Sequence, residues 1–283
     1  MQLVRHGEVG RELPGVRLED GRIIDVSGVF GDYNESFFGL NCLPSLRDWL
    51  KRHRDLAPVV SPQTRIGAPV ARPSKIVCIG KNYLDHALEF GEGVPTEPVL
   101  FMKASSAWSG PFDDVQRPLG AEKLDYEVEL AVVIAQPMRH VAEADVLSHI
   151  AGYTVLCDYS ERAFQKERGG QWTKGKSADT FAPCGPYLLT MKEVPDPQNL
   201  RLWTTVNGEL RQNGYTGDMI FSVVHCLSYI SRFMTLLPGD VVATGTPSGV
   251  AMGMNPPKYL EPGDLVEVGI DGIGSMTQRI VAG

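Results

Sequence analysis

In the segment KLDYEVELAVVI, residues 123–134, Asp125, Glu127 and Glu129 fall at every second position. An extended chain points all three to one side, and the same side continues inward as Ala131 and Val133. Like charges at the edge of an apolar interior repel one another and resist desolvation. An exposed strand end laced with salt bridges has the same spacing. The apolar continuation favours acids standing at a mouth of the core. Several oxygen ligands of one sign suit a hard divalent cation, magnesium, manganese or calcium, better than zinc. Two carboxylates at i and i+2 can share such an ion, and Asp158, closing the apolar run YTVLCD, is suited by type to be the third.

Three more clusters carry chemistry. In NYLDHALEF, His86 and Glu89 are three residues apart and share one face of a helix. A carboxylate beside an imidazole fixes its tautomer and raises its basicity, as a general base requires, although ordinary surface pairs share that spacing. The polar stretch SERAFQKERGGQWTKGKSADTFAPCGP holds Arg162, Gln165, Lys174 and Lys176, able to present cations and amides to a carboxylate or to remain a solvated loop. In ATGTPSGV, residues 243–250, small residues and hydroxyls admit a ligand close to the backbone. The GK[ST] ending of a phosphate loop is missing.

The elements that must position these residues read as mainly β, with short helices at the edges. Strands are expected at QLVRHG, KIVCIG, VLFMKAS and DYEVELAVVI, and a helix running into a strand ends near Asp158. Hairpins are expected at Asp20-Gly21 and Asn207-Gly208. Two Pro-Gly turns, in LPGDVVATG and LEPGDLVEVG, each enter a strand. Helices are expected at SLRDWLKRH, capped by Ser45, at NYLDHALEFG, capped by Asn82 and stopped by Gly91, and over about 15 residues of SVVHCLSYISRFMTL. Strands and helices do not alternate as a barrel or a doubly wound sheet requires. A proline-rich stretch near residue 70 divides a small N-terminal α+β domain, 1–70, from the remainder, 71–283.

The chain has 283 residues, 43% hydrophobic and 22% charged, with a net charge of −7. That balance argues against nucleic acid or an anionic membrane as partner. No apolar run approaches a membrane span, and the start lacks the apolar stretch of a secretory signal. Five separated cysteines without a CxxC read as reduced thiols, so a cytoplasmic protein with neither disulfides nor a zinc site is expected.

Together and in this order, IGKNYLDHALE, DYEVELAVVI, CDYSERAFQ, GKSADTFAPCGP and LPGDVVATGTPSGV resemble the fumarylacetoacetate hydrolase family over about residues 75–280. The resemblance implies a mixed β-sandwich roll and a homodimer. It implies Glu127, Glu129 and Asp158 as ligands of Mg2+, with Mn2+ or Ca2+ as alternatives. His86 and Glu89 correspond to the base dyad, Lys176 to the catalytic lysine, and Arg162, Gln165, Thr180 and Thr246 to substrate-binding positions. Asp125 lies one step outward, in an outer shell or in solvent. The implied activity is hydrolysis of the C–C bond of a 2,4-diketo acid, a small 2-keto acid substrate. The N-terminal stretch LVRHGEVGRELPGV resembles a subgroup acting on 2,4-diketo-3-deoxy-L-rhamnonate or its fuconate analogue, giving pyruvate and lactate. Oxaloacetate decarboxylation, dehydration of a 2-keto-3-deoxy acid and ureidoglycolate cleavage are the competing expectations. The glycines of GGQWTKGKS suggest a lid.

Overall fold

The structure is a computed structural model, described here for residues 1–89 and 93–283. The expected helix stop at Gly91 lies outside the described residues. The main sheet runs, in spatial order, Ile23–Asp25, Leu13–Arg17, Gln2–His6, Ala182–Thr190, Ile150–Cys157, Val128–Ile134, Val241–Ala243, Ile76–Gly80 and Val99–Lys103. Two short strands, Ile66–Gly67 and Trp108–Ser109, pair beside this path. A five-stranded sheet of Glu209–Tyr215, Arg201–Val206, Leu265–Ile270, Gly274–Ala282 and Val115–Arg117 packs against it. The protein is therefore mainly β with short helices, as its turn chemistry and alternating runs indicate.

Val128–Ile134 is central because nothing on it faces water: all seven residues are buried, the acidic Glu129 included. Its neighbours, Ile150–Cys157 and Val241–Ala243, are equally buried, so both faces of the middle strands are covered. The register pairs Val128 with Cys157, which brings the start of one strand to the end of the other. Leu3, Val16, Ile24, Phe37, Phe38 and Leu46 belong to the same apolar cluster as Val128, Leu130 and Val132, so residues 1–70 add their strands and core to the sheet through Gln2–His6.

Several local expectations change. The acidic segment is not one strand: Leu124–Asp125 pairs with Ser160–Glu161, and the chain redirects at Tyr126 before Val128–Ile134 begins. The helix around SLRDWLKRH starts earlier, at Cys42, behind Asn41 in the left-handed region, so Ser45 lies inside it. Asn82 is no cap. Its fully buried amide donates to Phe221 O and Thr244 O and accepts from Phe221 N–H. The C-terminal amphipathic helix is Val223–Ile230, only eight residues, capped by the Ser222 hydroxyl. Among the described residues no helix is long and apolar enough to cross a membrane.

Candidate active site

Antiparallel pairing builds the acid cluster. Asp158 N–H donates to Glu127 O at 2.8 Å, extending the ladder one step beyond Val128 and Cys157. As a result one oxygen each from Glu127, Glu129 and Asp158 lies within 4.8 Å of the others, on three buried residues. Asp125 does not join them. It is fully buried and turned toward Arg162 Nε (2.8 Å), with Ala251 N–H (2.7 Å) and Met252 N–H (3.1 Å) on the same carboxylate.

Cations crowd the cluster. Arg162 bonds Glu127 at 2.6 Å and Gln165 Oε1 at 3.0 Å, which turns the Gln165 amide nitrogen away from it. Lys176 Nζ spans Glu127 (2.6 Å) and Asp158 (2.7 Å). Lys103, buried and not anticipated as a site residue, bonds the other Asp158 oxygen at 2.5 Å and Tyr159 O at 3.0 Å. Its signal was a lone lysine ending the apolar run VLFMK, on the same strand face as Phe101.

Burial works against charge on Glu127, but Lys176, Arg162 and His86 outweigh it and hold this carboxyl below the usual range. Lys176 is likewise disfavoured by burial, yet Asp158 and Glu127 push its ammonium up to about 12. Glu129 differs. Burial, then the neighbouring Asp158 and Glu127, push its carboxyl well above the ordinary range. Its bonded partner is the Gly245 N–H at 2.7 Å, and among the described residues no lysine, arginine or histidine pairs with it. The four buried carboxylates Asp125, Glu127, Glu129 and Asp158 are gathered with the buried Lys103, Arg162, Lys176 and His86. A hard divalent cation fits the three oxygens of Glu127, Glu129 and Asp158, which lie within its span.

The helix Leu84–Glu89 presents the dyad. His86 Nδ1 meets Glu89 Oε2 at 3.2 Å. Glu89 Oε1 accepts from Gly249 N–H at 3.1 Å, and Asp85 Oδ2 accepts from the Ser248 hydroxyl at 2.6 Å. The helix is thereby tied to the loop after Val241–Ala243. That loop comes close enough to need glycine: a Cβ on Gly253 would lie 2.1 Å from the Glu89 carboxyl.

His86, Glu127, Glu129, Arg162, Gln165, Lys176 and Thr246 line one narrow cleft. Ile79, Phe101, Trp172 and Met252 complete the wall, with Lys81 and Lys166. Asp158, bonded to Lys176, is not among the lining residues. Thr246 accepts from Gln212 Nε2 at 2.8 Å. Thr180 stands apart from this lining: its hydroxyl accepts from Gln116 N–H at 2.9 Å. The segment holding Trp172 and Lys176 folds as the short helix Thr173–Lys176 against the preceding turn Ala163–Glu167.

Comparison with known proteins gives a consistent result. The model for the fumarylacetoacetate (FAA) hydrolase C-terminal family matches residues 75–281. A protein of Burkholderia multivorans that carries only a provisional hydrolase name is 49% identical over 279 residues, 98% of each chain. Fumarylacetoacetate hydrolase from Exiguobacterium antarcticum superposes with a TM-score of 0.86 at 38% identity, covering 100% of both chains. Maleylpyruvate hydrolase from Sphingobium sp. SYK-6, solved with manganese(II) and pyruvate, gives 0.83 at 29% identity, also covering both chains fully. 2-Hydroxyhepta-2,4-diene-1,7-dioate isomerase from Mycobacterium marinum gives 0.75 at 33% identity over 100% of this chain and 98% of its own.

Proposed function

Because this chain belongs to the fumarylacetoacetate hydrolase family, we propose that it is a divalent-metal-dependent hydrolase that cleaves a 2,4-diketo acid at the C3–C4 bond and releases pyruvate. The observation that carries this reading is the buried Glu127, Glu129 and Asp158 cluster, in which Glu129 has no cationic partner among the described residues, beside the cleft that His86 lines with Glu89 bonded to it. Glu127, Glu129 and Asp158 would hold the metal, with Mg2+ or Mn2+ the expected ion. Bound there, a divalent ion supplies Lewis-acid polarisation of the 2-keto end of the substrate.

The chain's own residues account for the proton movements. Glu89 accepts the Nδ1 proton of His86, which leaves Nε2 as the base. His86 takes a proton from water as that water's oxygen bonds to C4, and the C4 carbonyl oxygen gains the negative charge. When that charge collapses back to a carbonyl, the C3–C4 pair moves to C3, and the proton held by His86 returns to C3. The products are pyruvate and the acid of the acyl group. Lys176, with one N–H beyond those bonded to Glu127 and Asp158, and the Gln165 amide are the donors suited to the C4 oxygen. Arg162 keeps Glu127 ionised and oriented, and Thr246 lines the cleft as a hydroxyl for the substrate carboxylate.

The test is a panel of acylpyruvates, with 2,4-diketo-3-deoxy-L-rhamnonate among them, incubated with Mg2+ or Mn2+ while pyruvate is followed. Cleavage that stops with EDTA is expected. Carbon dioxide from oxaloacetate with no diketo acid cleaved would instead make the protein a decarboxylase. The likeness to a dioate isomerase supports one second reading, in which His86 moves a proton between carbons without water. An absorbance change in an unsaturated 2-oxo acid without pyruvate release would favour it.

A further inference from the structure

Beside the acids the cleft carries a wall of carbon, made by Ile79, Phe101, Trp172 and Met252. Trp172 comes from the segment after Arg162 and lies against the end of strand Ile76–Gly80. Gly80 lets it come close: a Cβ there would sit 2.8 Å from the outer edge of the indole, which would have to shift. The indole meets Phe101 edge-on, with centroids 5.2 Å apart. The Phe101 ring has the Lys176 ammonium 4.9 Å from its centroid, and that ammonium bonds Glu127 and Asp158. Acid cluster, lysine, phenyl ring and indole therefore follow one another along the wall.

A ligand whose 2-keto end is held at the acids must lay its remaining carbons against whatever comes next. Carbon against carbon gains from leaving water. Hydroxyls laid against Ile79, Phe101 and Met252 lose water with no donor or acceptor in return from those three. The polar groups of this wall are the Trp172 N–H and, at the border of the same cleft, Lys81 and Lys166. We infer that Trp172, seated on Gly80 and braced by Phe101, is the specificity-determining residue for the acyl end of the substrate, selecting a carbon-rich acyl group over a hydroxyl-bearing one. The inference rests on the 2,4-diketo acid reading and narrows it, setting an apolar acylpyruvate ahead of the sugar-derived acid.

Binding tests this apart from turnover. Pyruvate and 2-oxooctanoate share the 2-keto acid end and lack the 4-keto group, so neither is hydrolysed. Their dissociation constants are measured by calorimetry on the Mn2+-loaded protein. The wild type is expected to prefer 2-oxooctanoate by about ten-fold or more. In W172A the preference should collapse to less than about three-fold, and W172F should retain most of it. A wild type without preference, or a W172A that keeps it, overturns the inference. Binding of neither acid overturns it together with the reading beneath it. An intact, Trp172-dependent preference with no acylpyruvate cleaved would sink the hydrolase reading alone and leave the wall standing.

Discussion

Glu129 and His86 sit on the same cleft but answer to different forces. Glu129 is buried and crowded by two carboxylates, and among the described residues no lysine, arginine or histidine pairs with it, so charge on it is disfavoured in the metal-free protein. Glu129→Gln should therefore raise the Tm of the metal-free protein by a few degrees. It should also weaken Mn2+ binding by about 100-fold or more, read by calorimetry. His86→Ala removes the proposed base while sparing the three carboxylates. Its kcat should fall about 10²- to 10⁴-fold, with Mn2+ affinity changed less than about three-fold. At this scale the sequence was informative wherever spacing maps directly onto a face. Alternation marked Glu127 and Glu129, and the i, i+3 step marked His86 and Glu89. It misled at Asp125, because alternation holds only while the chain stays extended, and the chain redirects at Tyr126. Lys103 stayed hidden because one lysine at a strand end looks like a solvated terminus until its partner, 55 residues away, is known.

Elements were legible in proportion to how local their causes are. The Asn207-Gly208 hairpin forms as expected, with both residues at positive φ, because the turn needs only those two. The Pro-Gly turns likewise deliver Val241–Ala243 and Leu265–Ile270. The helix Val223–Ile230 stops short of its apolar pattern for a tertiary reason. The Ser231 hydroxyl accepts from Val141 N–H, and Leu236 must pair with Met138, so the chain turns early. Asn82 shows the same priority of distant partners. It joins the junction before the dyad helix to Phe221 and Thr244, across three bonds of 2.8 to 3.0 Å. Asn82→Ala strands buried partners, so it should cost about 2–4 kcal/mol in denaturant unfolding. It should also lower kcat, since the helix bearing His86 loses its anchor.

The whole molecule is one apolar cluster spanning both sheets, and residues 1–70 are built into it. Expression of 71–283 alone should give a protein that aggregates or unfolds without a cooperative transition, because the Leu188–Leu189 edge loses its partner strand. The same strand carries a pH response. Burial lowers the pKa of His6, against a smaller opposing pull from Asp25 at 3.7 Å. The unfolded chain then binds the proton more readily than the folded one. Stability should be full above about pH 6.5 and decline as pH falls toward the depressed folded value. The slope of Tm against pH below about 6.5 should be shallower in His6→Asn. The composition, acidic overall, concealed a site whose floor is built from lysine and arginine, since net charge averages over a surface that the site does not share. One side chain, Asp125, accepts from the guanidinium of Arg162 and the Met252 N–H on one oxygen and from the Ala251 N–H on the other. Met252 borders the cavity, and Arg162 steadies a proposed ligand of the ion. The 250–253 loop is thus linked through Asp125 and Arg162 to Glu127, so substitutions there should alter cation affinity without ever touching a cation.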